Sequence, residues 1–230
     1  MTYVMANIHG CCSAYTRMLD QIGFCDDDVL YVLGDAVGYG KRPAELLRDM
    51  MMRPNVYPIL GEHEMTTLKM LRGITSGKLE NADSKFINAF HVWLRNGGKP
   101  MAEAFRAMND EDKESMIDYL MEFACYEDIE VGGNRYILVH AGLENYRPDR
   151  PLDDYSPEEL TLASPDFQKG FTGDGTLVVG HTPTIRIDSS RAGKIYFGKG
   201  IINLDCGAGR PNSGGHLGCL RLEDRREFYI

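Results

Sequence analysis

The stretch DVLYVLGD, residues 28–35, decides the fold class of this 230-residue chain. It is a near-continuous apolar run that ends in glycine and aspartate, a pattern typical of a strand buried on both faces. Before it, SAYTRMLDQIGF (13–24) has the apolar spacing of a helix, and TYVMANI (2–8) is another strand candidate. After it, RPAELLRDMMMR (42–53) predicts a helix and NVYPILG (55–61) predicts a third strand. The β-α-β-α-β order indicates a sheet with parallel strands and covering helices.

The rest of the chain predicts a helical segment followed by a second set of strands. Residues 62–124 have helical character, which we interpret as a helical cap or insertion at about 65–124. Strand candidates then return as YEDIEV (126–131), NRYILVHAG (134–142), TLVVGHTP (176–183), KIYFGKGIINLDCG (194–207) and GGHLGCLRLED (214–224). A polar, proline-containing loop, 143–157, lies between two of them. The sequence has no repeat or linker, so a single domain, 1–230, is predicted.

The charge balance limits the partners that the chain can take. Its 34 acidic and 25 basic residues give a net charge of −9, which argues against a nucleic-acid backbone as a partner. No apolar stretch approaches the roughly 20 residues of a membrane-spanning helix. The N-terminus, MTYVMANIHG, lacks the pattern of a signal peptide. The six cysteines form no C-x-x-C pair, so we expect reduced thiols in a cytoplasmic protein without a membrane partner.

Polar side chains follow the predicted buried strands at the points where the strands end. They are Asn7, His9, Asp35, Glu62, His63, His140 and His181. Ligands of α/β sheets bind at the carboxyl ends of strands, where side chains far apart in sequence can converge. A single histidine of this kind is more often a hydrogen-bonded polar group than a ligand. Four histidines together with two carboxylates predict a metal site.

The donor types narrow the metal chemistry. Nitrogen and oxygen ligands without thiolate pairs suit divalent Mn, Fe or Zn better than a structural zinc centre. The candidates are also too many for one tetrahedral ion, so we predict two ions bridged by Asp35. In-line hydrolysis of a phosphate ester is the reaction that such a pair suits.

Five motifs in order resemble those of the calcineurin-like metallophosphoesterases. They are NIHG (7–10), GD (34–35), GEHE (61–64), VHAG (139–142) and GHTP (180–183). Each is weak alone, and their order over nearly the whole chain makes the resemblance specific. The segments INLDCGAG and GHLGCLRLED also look like the C-terminal strands of the bacterial serine/threonine protein phosphatase-like branch. The resemblance implies an α/β fold of four layers, αββα, in which two mixed sheets lie face to face with flanking helices.

The resemblance also implies roles for the strand-end residues. It implies one metal site of Asn7, His9 and Asp35, and a second metal site of Asp35, Glu62, His140 and His181. It further implies that His63 protonates the leaving-group oxygen. His63 and Asp35 are therefore the predicted catalytic residues.

Asn7 and Glu62 depart from the family pattern, which has an aspartate and an asparagine at these two positions. The neutral amide of Asn7 is expected to weaken the first metal site. The added carboxylate of Glu62 is expected to strengthen the second, because hard oxygen sites gain affinity with carboxylate charge.

The stretch GDAVGYG (34–40) departs further, because the protein phosphatases have G-D-x-x-D-R-G there. It lacks their phosphate-binding arginine, and Ser164 stands where they often place another. G-D-x-V-G-Y-G resembles a second branch of the superfamily, with phosphodiesterase-like members, that does without this arginine. Lys41 and Arg42 either supply the positive charge or form a solvated helix start.

Two classes of function follow from these motifs. The first is a metal-dependent phosphoesterase that hydrolyses a phosphate mono- or diester of a phosphoprotein, a nucleotide or a small molecule. The alternative is a catalytically impaired regulator that binds phosphate or a nucleotide, and the altered ligands with the missing arginines point to it. The four clustered histidines favour the enzyme. Diadenosine polyphosphate hydrolysis, similar to a known branch, is a third interpretation, although no motif here identifies adenine recognition.

Overall fold

The computed structural model describes residues 1–77, 83–209 and 214–230, whose strands form two five-stranded sheets. The strands are, in chain order, β1 (Thr2–Met5), β2 (Val29–Leu33), β3 (Val56–Ile59), β4 (Tyr126–Val131), β5 (Asn134–Val139), β6 (Thr176–Val179), β7 (Tyr196–Gly198), β8 (Ile201–Asn203), β9 (Gly218–Arg221) and β10 (Arg226–Tyr229). The helices are α1 (Cys12–Ile22), α2 (Pro43–Met51), α3 (Glu62–Thr75), α4 (Ser84–Trp93), α5 (Lys99–Arg106), α6 (Asp110–Met121), α7 (Pro157–Thr161) and α8 (Thr184–Ile187). The predicted β-α-β-α-β order of the first sixty residues is therefore present.

Both sheets are mixed, with parallel strands at their centres. The first sheet has the order β10-β9-β1-β2-β3. In it β1, β2 and β3 are parallel to one another, β9 is antiparallel to β1, and β10 is antiparallel to β9. The second has the order β4-β5-β6-β8-β7, in which β5, β6 and β8 are parallel and the outer two strands are antiparallel. Because the carboxyl ends of parallel strands share one edge of a sheet, each sheet collects its strand-end residues at one edge.

The apolar run in β2 is explained by burial on both faces. Leu30 and Val32 pack against α1 and α2 on the outer face, where Leu46 lies. Leu33 points the other way into the core between the two sheets, together with Tyr136 of β5. Alternation of side chains between the two faces of a strand produces this division. The outer face of the second sheet is covered by α7 and the loops around it. The predicted αββα sandwich of two mixed sheets is confirmed.

The predicted helical segment contains helices α3 to α6, which we call the helical cap. Its helices α3 to α6 share an apolar core with α2, in which Leu47 meets Phe105 and Leu120. Within this segment the chain leaves helical geometry at Asn96 and Gly97, and Gly97 has a φ of 94°. The left-handed conformation there suits glycine, and it separates α4 from α5.

Two strand regions differ from the sequence prediction. The stretch 194–207 divides into the antiparallel pair β7 and β8 rather than forming one strand. The edge strand β10 was not predicted, because its Arg226 and Glu227 are exposed and Phe228 alone in this short stretch is buried. Among the residues that the structure describes, no helix is long and apolar enough to cross a lipid bilayer.

Candidate metal centre

The strand-end residues lie in turns with unusual backbone geometry. Asn7, His9, Asp35 and His181 all have φ values between 51° and 63°, in the left-handed region. Residues other than glycine adopt this region infrequently, and such positions concentrate at functional sites. The turns follow β1, β2 and β6, so strands of both sheets contribute to one cluster.

Two groups of three donors meet in this cluster. One consists of His9, Asp35 and His63, and the other of Asp35, His140 and His181. Within each group the ligand atoms all lie within 4.8 Å of one another. Three converging nitrogen and oxygen donors are what a divalent transition cation requires when it keeps a position open. The donor set therefore fits two cations that share Asp35.

His140 can act as a metal ligand through its ring nitrogen Nε2. Its Nδ1 lies 2.9 Å from the carbonyl oxygen of Leu33, and its Nε2 lies 3.2 Å from Nδ1 of His181 and 3.5 Å from Oδ1 of Asp35. The hydrogen bond to a carbonyl fixes the ring and leaves Nε2 for a cation. Burial lowers the pKa of His140 to about 4, so the imidazole is neutral near pH 7, as ligation requires.

Asp35 is a buried carboxyl group whose charge needs a partner. Burial raises the pKa of Asp35 to about 7, while the nearby His63 acts in the opposite direction. The backbone N–H of His63 donates to Oδ1 of Asp35 at 3.1 Å. A cation at this carboxylate would favour its ionised form, because an opposite charge offsets the cost of burial.

Asn7 connects the two sheets through its carboxamide. Its Oδ1 accepts a hydrogen bond from the backbone N–H of His181 at 2.7 Å, and its Nδ2 donates to Oδ2 of Asp35 at 3.1 Å. The amide nitrogen therefore faces the cluster and presents a donor to it. An aspartate at position 7 could not donate to Asp35. Metal ligation by Asn7 stays a prediction.

Glu62 lies at the rim of the cluster rather than among its donors. Its side chain is 42% exposed, and Oε1 lies 3.9 Å from Nε2 of His63. Its carboxylate belongs to neither group of three donors. Its role as a ligand of the second metal also stays a prediction.

Glu64 holds the backbone around the cluster in place, although it was not among the residues predicted from the sequence to form the site. The fully buried carboxylate accepts backbone N–H groups from Asp35 at 2.7 Å, Val37 at 2.9 Å and Gly61 at 3.1 Å. It thereby ties the turn after β2 to the start of α3. Burial, followed by the proximity of Asp35, raises the pKa of Glu64 to about 8. The acid three residues after Gly61, at the start of a helix, was the available signal.

Replacing Glu64 with glutamine is expected to lower the free energy of unfolding by about 1–3 kcal/mol. The glutamine oxygen can still accept, but its NH₂ group must face a backbone N–H that then lacks an acceptor. Urea denaturation of the purified protein measures this change. Glu130→Gln, at an exposed position of β4, is the matched control and should change stability little. Equal stability of the two variants would show that the Glu64 hydrogen bonds are not structurally important.

Apart from the fully buried His140, the donors line a polar cleft of about 160 Å³, which we call the metal cleft. Tyr39, Arg186 and Asp205 also line it. The ring of Tyr39 lies 5.1 Å from that of His9 and 5.2 Å from that of His63, centroid to centroid. Tyr39 and Arg186 were not among the residues predicted from the sequence to form the site.

Among the residues that the structure describes, Arg186 is the lysine or arginine that lines the metal cleft. It lies in α8, directly after the turn that carries His181, and it is exposed. No ion pair involving Arg186 occurs among the residues described. In contrast, Arg42 pairs with the neighbouring Glu45 at 2.7 Å and does not line the cleft. This supports the interpretation of Arg42 as part of a solvated helix start.

Comparisons with known proteins agree with this geometry. The profile of the family described as calcineurin-like phosphoesterase matches residues 2–206. A curated relative named symmetrical bis(5′-nucleosyl)-tetraphosphatase, from Erwinia tasmaniensis, is 26% identical over 279 aligned positions, covering 99% of this chain and 96% of the relative. Serine/threonine-protein phosphatase 2 from Salmonella typhimurium is 27% identical over 157 residues, covering 66% of this chain and 60% of the relative. The structure of a protein serine/threonine phosphatase from Saccharomyces cerevisiae gives a TM-score of 0.61 at 13% identity, covering 100% of this chain and 78% of that chain, which supports the fold alone.

Proposed function

The chain belongs to the calcineurin-like phosphoesterase family, and we propose that it hydrolyses phosphate esters at a centre of two divalent cations that share Asp35. Family membership confirms the enzyme class predicted from the sequence, a phosphoester hydrolase. The proposed cations are drawn from Mn, Fe and Zn, as the nitrogen and oxygen donors suggest.

The observation that carries this proposal is the sharing of Asp35 by two groups of donors. His9 and His63 belong to the first group, and His140 and His181 belong to the second. When bound, such ions supply a nucleophile for phosphorus and positive charge for the phosphate oxygens. Asp35 then acts as the common ligand, while Glu64 fixes the backbone on either side of it.

His63 is the proposed proton donor to the leaving group. Its side chain is 12% exposed, so it lies at the surface of the metal cleft rather than beneath it. Its ring packs edge-on against His9 and Tyr39, which restrict its orientation. A histidine at this place can deliver a proton to the oxygen that leaves phosphorus.

Arg186 is proposed to bind the phosphate in place of the arginines that this chain lacks. A guanidinium can bind two phosphate oxygens at once, which orients the phosphate as well as attracting it. Its exposed position on α8, at the metal cleft, leaves it accessible to a substrate that enters from solvent.

Dinucleoside polyphosphates, in which the bond broken is a phosphoanhydride between two phosphates, are the substrate class that we propose first. A relative named for tetraphosphate hydrolysis aligns with nearly the whole of this chain. The relative named as a protein phosphatase aligns with a smaller part. In addition, this chain departs from the protein phosphatases at the position of their phosphate-binding arginine. These features favour a nucleotide over a phosphoprotein.

A phosphate-binding regulator is the second candidate. The orientation of Asn7, whose amide nitrogen faces Asp35, favours it, because this group offers no lone pair to a cation. The exposed position of Glu62 agrees with a weakened metal shell.

The test is an assay of p-nitrophenyl phosphate, bis-p-nitrophenyl phosphate and diadenosine tetraphosphate with Mn, Fe and Zn. The proposal expects metal-dependent turnover by the wild-type protein and a loss of about 10²–10⁴-fold in His63→Ala. The variant should still bind two ions per chain, as measured by elemental analysis. Loss of an ion would instead identify His63 as a ligand. Phosphate binding without turnover on any substrate would support the regulator.

A further inference from the structure

A second cleft opens beside the metal cleft, under the helical cap. Its volume is about 380 Å³, and we call it the cap cleft. One wall is Tyr39, in the turn after β2. The other walls include Lys69 and Met70 of α3, and Ala89, Val92 and Trp93 of α4. The cleft shares Tyr39, Glu62 and His63 with the metal cleft. The two clefts therefore adjoin at the side chain of His63.

The helical cap is joined closely to the turn that carries Tyr39. Gly97 lies so near this turn that a Cβ atom there would be 2.7 Å from the carbonyl carbon of Gly38 and 2.8 Å from the nitrogen of Tyr39. Only glycine permits this approach of two backbones. The contact brings Asn96 beside the turn that carries Tyr39, and both residues line the cap cleft together with residues of α4.

We propose that the cap cleft binds the leaving group of the substrate, a nucleoside 5′-diphosphate, with the base between the aromatic and apolar walls and a phosphate near Lys69. The proposal rests on the proposed function, because it places the reacting phosphorus in the metal cleft. In that reaction water adds to phosphorus, the bond to the leaving oxygen breaks, and this oxygen takes a proton from His63. The leaving group must then lie on the His63 side of the metal cleft, and the cap cleft lies on that side.

The walls of the cap cleft match the chemistry of a nucleotide. Tyr39 is 45% exposed and Val92 is 39% exposed, so an aromatic ring and an aliphatic side chain are accessible to a planar base. Stacking of a base on an aromatic ring contributes about 1–3 kcal/mol. Trp93 adds a second aromatic wall, and its indole N–H is occupied by the hydroxyl of Thr67 at 3.2 Å.

Lys69 provides the cationic part of the site. It is exposed on α3, and no ion pair with it occurs among the described residues. Together with Asn96, which can donate and accept hydrogen bonds, it gives the mainly apolar cleft the few polar groups that orient a ligand. The volume of the cleft also falls within the range of small-molecule sites, roughly 300–1,000 Å³. A phosphopeptide would need an extended groove rather than a cleft of this volume.

The test uses ADP as the probe and Trp93, the single tryptophan of the chain, as the reporter. ADP is expected to quench the tryptophan fluorescence of the Mn-loaded wild-type protein, whereas inorganic phosphate, which fits the metal cleft, should not. Lys69→Ala and Val92→Asp are each expected to raise the dissociation constant of ADP about tenfold or more relative to that of phosphate.

Matched controls lie on the same cap but outside the cap cleft. Lys85→Ala and Ile87→Asp change exposed residues of α4, and we expect neither to change ADP binding. Unaltered ADP affinity in both cleft variants, or displacement of ADP by a phosphopeptide but not by AMP, would overturn the inference. If ADP binds as expected but no ester is hydrolysed, the cap cleft stands and the proposed enzyme function fails. If esters are hydrolysed and neither cleft variant changes ADP binding, the proposed enzyme function stands and the inference about the cap cleft fails.

Discussion

Asp35→Asn is expected to lower turnover about 1,000-fold and to weaken the binding of both cations at least about 100-fold. Asp35 is the donor that both groups share, so its carboxylate serves two ions. Asparagine keeps the shape of the side chain but removes its negative charge. Isothermal titration with Mn²⁺ measures the affinities, and hydrolysis of bis-p-nitrophenyl phosphate measures the turnover.

Folding must be separated from metal binding in this variant. The asparagine can still accept the backbone N–H of His63 through its oxygen, but its NH₂ group no longer accepts from Nδ2 of Asn7. Loss of this one hydrogen bond should leave the fold and the circular dichroism unchanged. Asp174→Asn removes a carboxylate at a position with an 87% exposed side chain, remote from the cluster, and serves as the control. If Asp35→Asn bound two ions as tightly as the control does, Asp35 would not be the shared ligand.

Arg186→Ala is expected to lower kcat/KM about 100-fold, mainly through a higher KM for the phosphate ester. Arg186 is the cation that the metal cleft offers to a phosphate, and alanine removes it without altering any donor to the cations. Arg186→Lys is expected to recover part of the loss, because lysine keeps the charge but not the paired hydrogen bonds. Steady-state kinetics with inorganic phosphate as a competing inhibitor measure both variants.

The control for Arg186 is a nearby arginine outside the cleft. Arg191→Ala, an exposed position in the turn that follows α8, should leave kcat/KM close to the wild-type value. A loss of equal size in Arg191→Ala would indicate a general electrostatic effect of this acidic protein. An unchanged KM in Arg186→Ala would show that Arg186 does not bind the phosphate of the substrate.

The parallel centre of the first sheet could be predicted because a strand buried on both faces has a nearly continuous apolar sequence. The apolar run before Gly34 fits a strand covered on both faces, and the structure shows such a strand in β2. The edge strand β10 lacks this pattern, because an edge strand with an exposed face keeps charged residues such as Arg226 and Glu227. Periodicity therefore predicts the centre of a sheet better than its border.

The positions of the donors could be predicted from where strands end, but their orientations could not. Parallel strands bring His140 and His181 to one edge of the second sheet, and packing of the two sheets brings this edge to Asp35 of the first. The direction of the Asn7 amide depends instead on the backbone N–H of His181, which is 174 residues away in sequence. No local pattern contains that information.

Three residues of the site were assigned no role from the sequence, because their contacts also join segments that are distant along the chain. Glu64, Tyr39 and Arg186 act through contacts between segments that meet only in the folded chain. A buried acid at a helix start, an aromatic residue in a turn and an arginine in a short helix are each common elsewhere. Their meaning comes from their shared position around the metal cleft.

The most direct measurement is anomalous X-ray diffraction from crystals grown with Mn²⁺. The account predicts two anomalous peaks on either side of the Asp35 carboxylate, one beside His9 and the other beside His140 and His181. A single peak that does not touch Asp35, or no peak near these residues at saturating Mn²⁺, would contradict it.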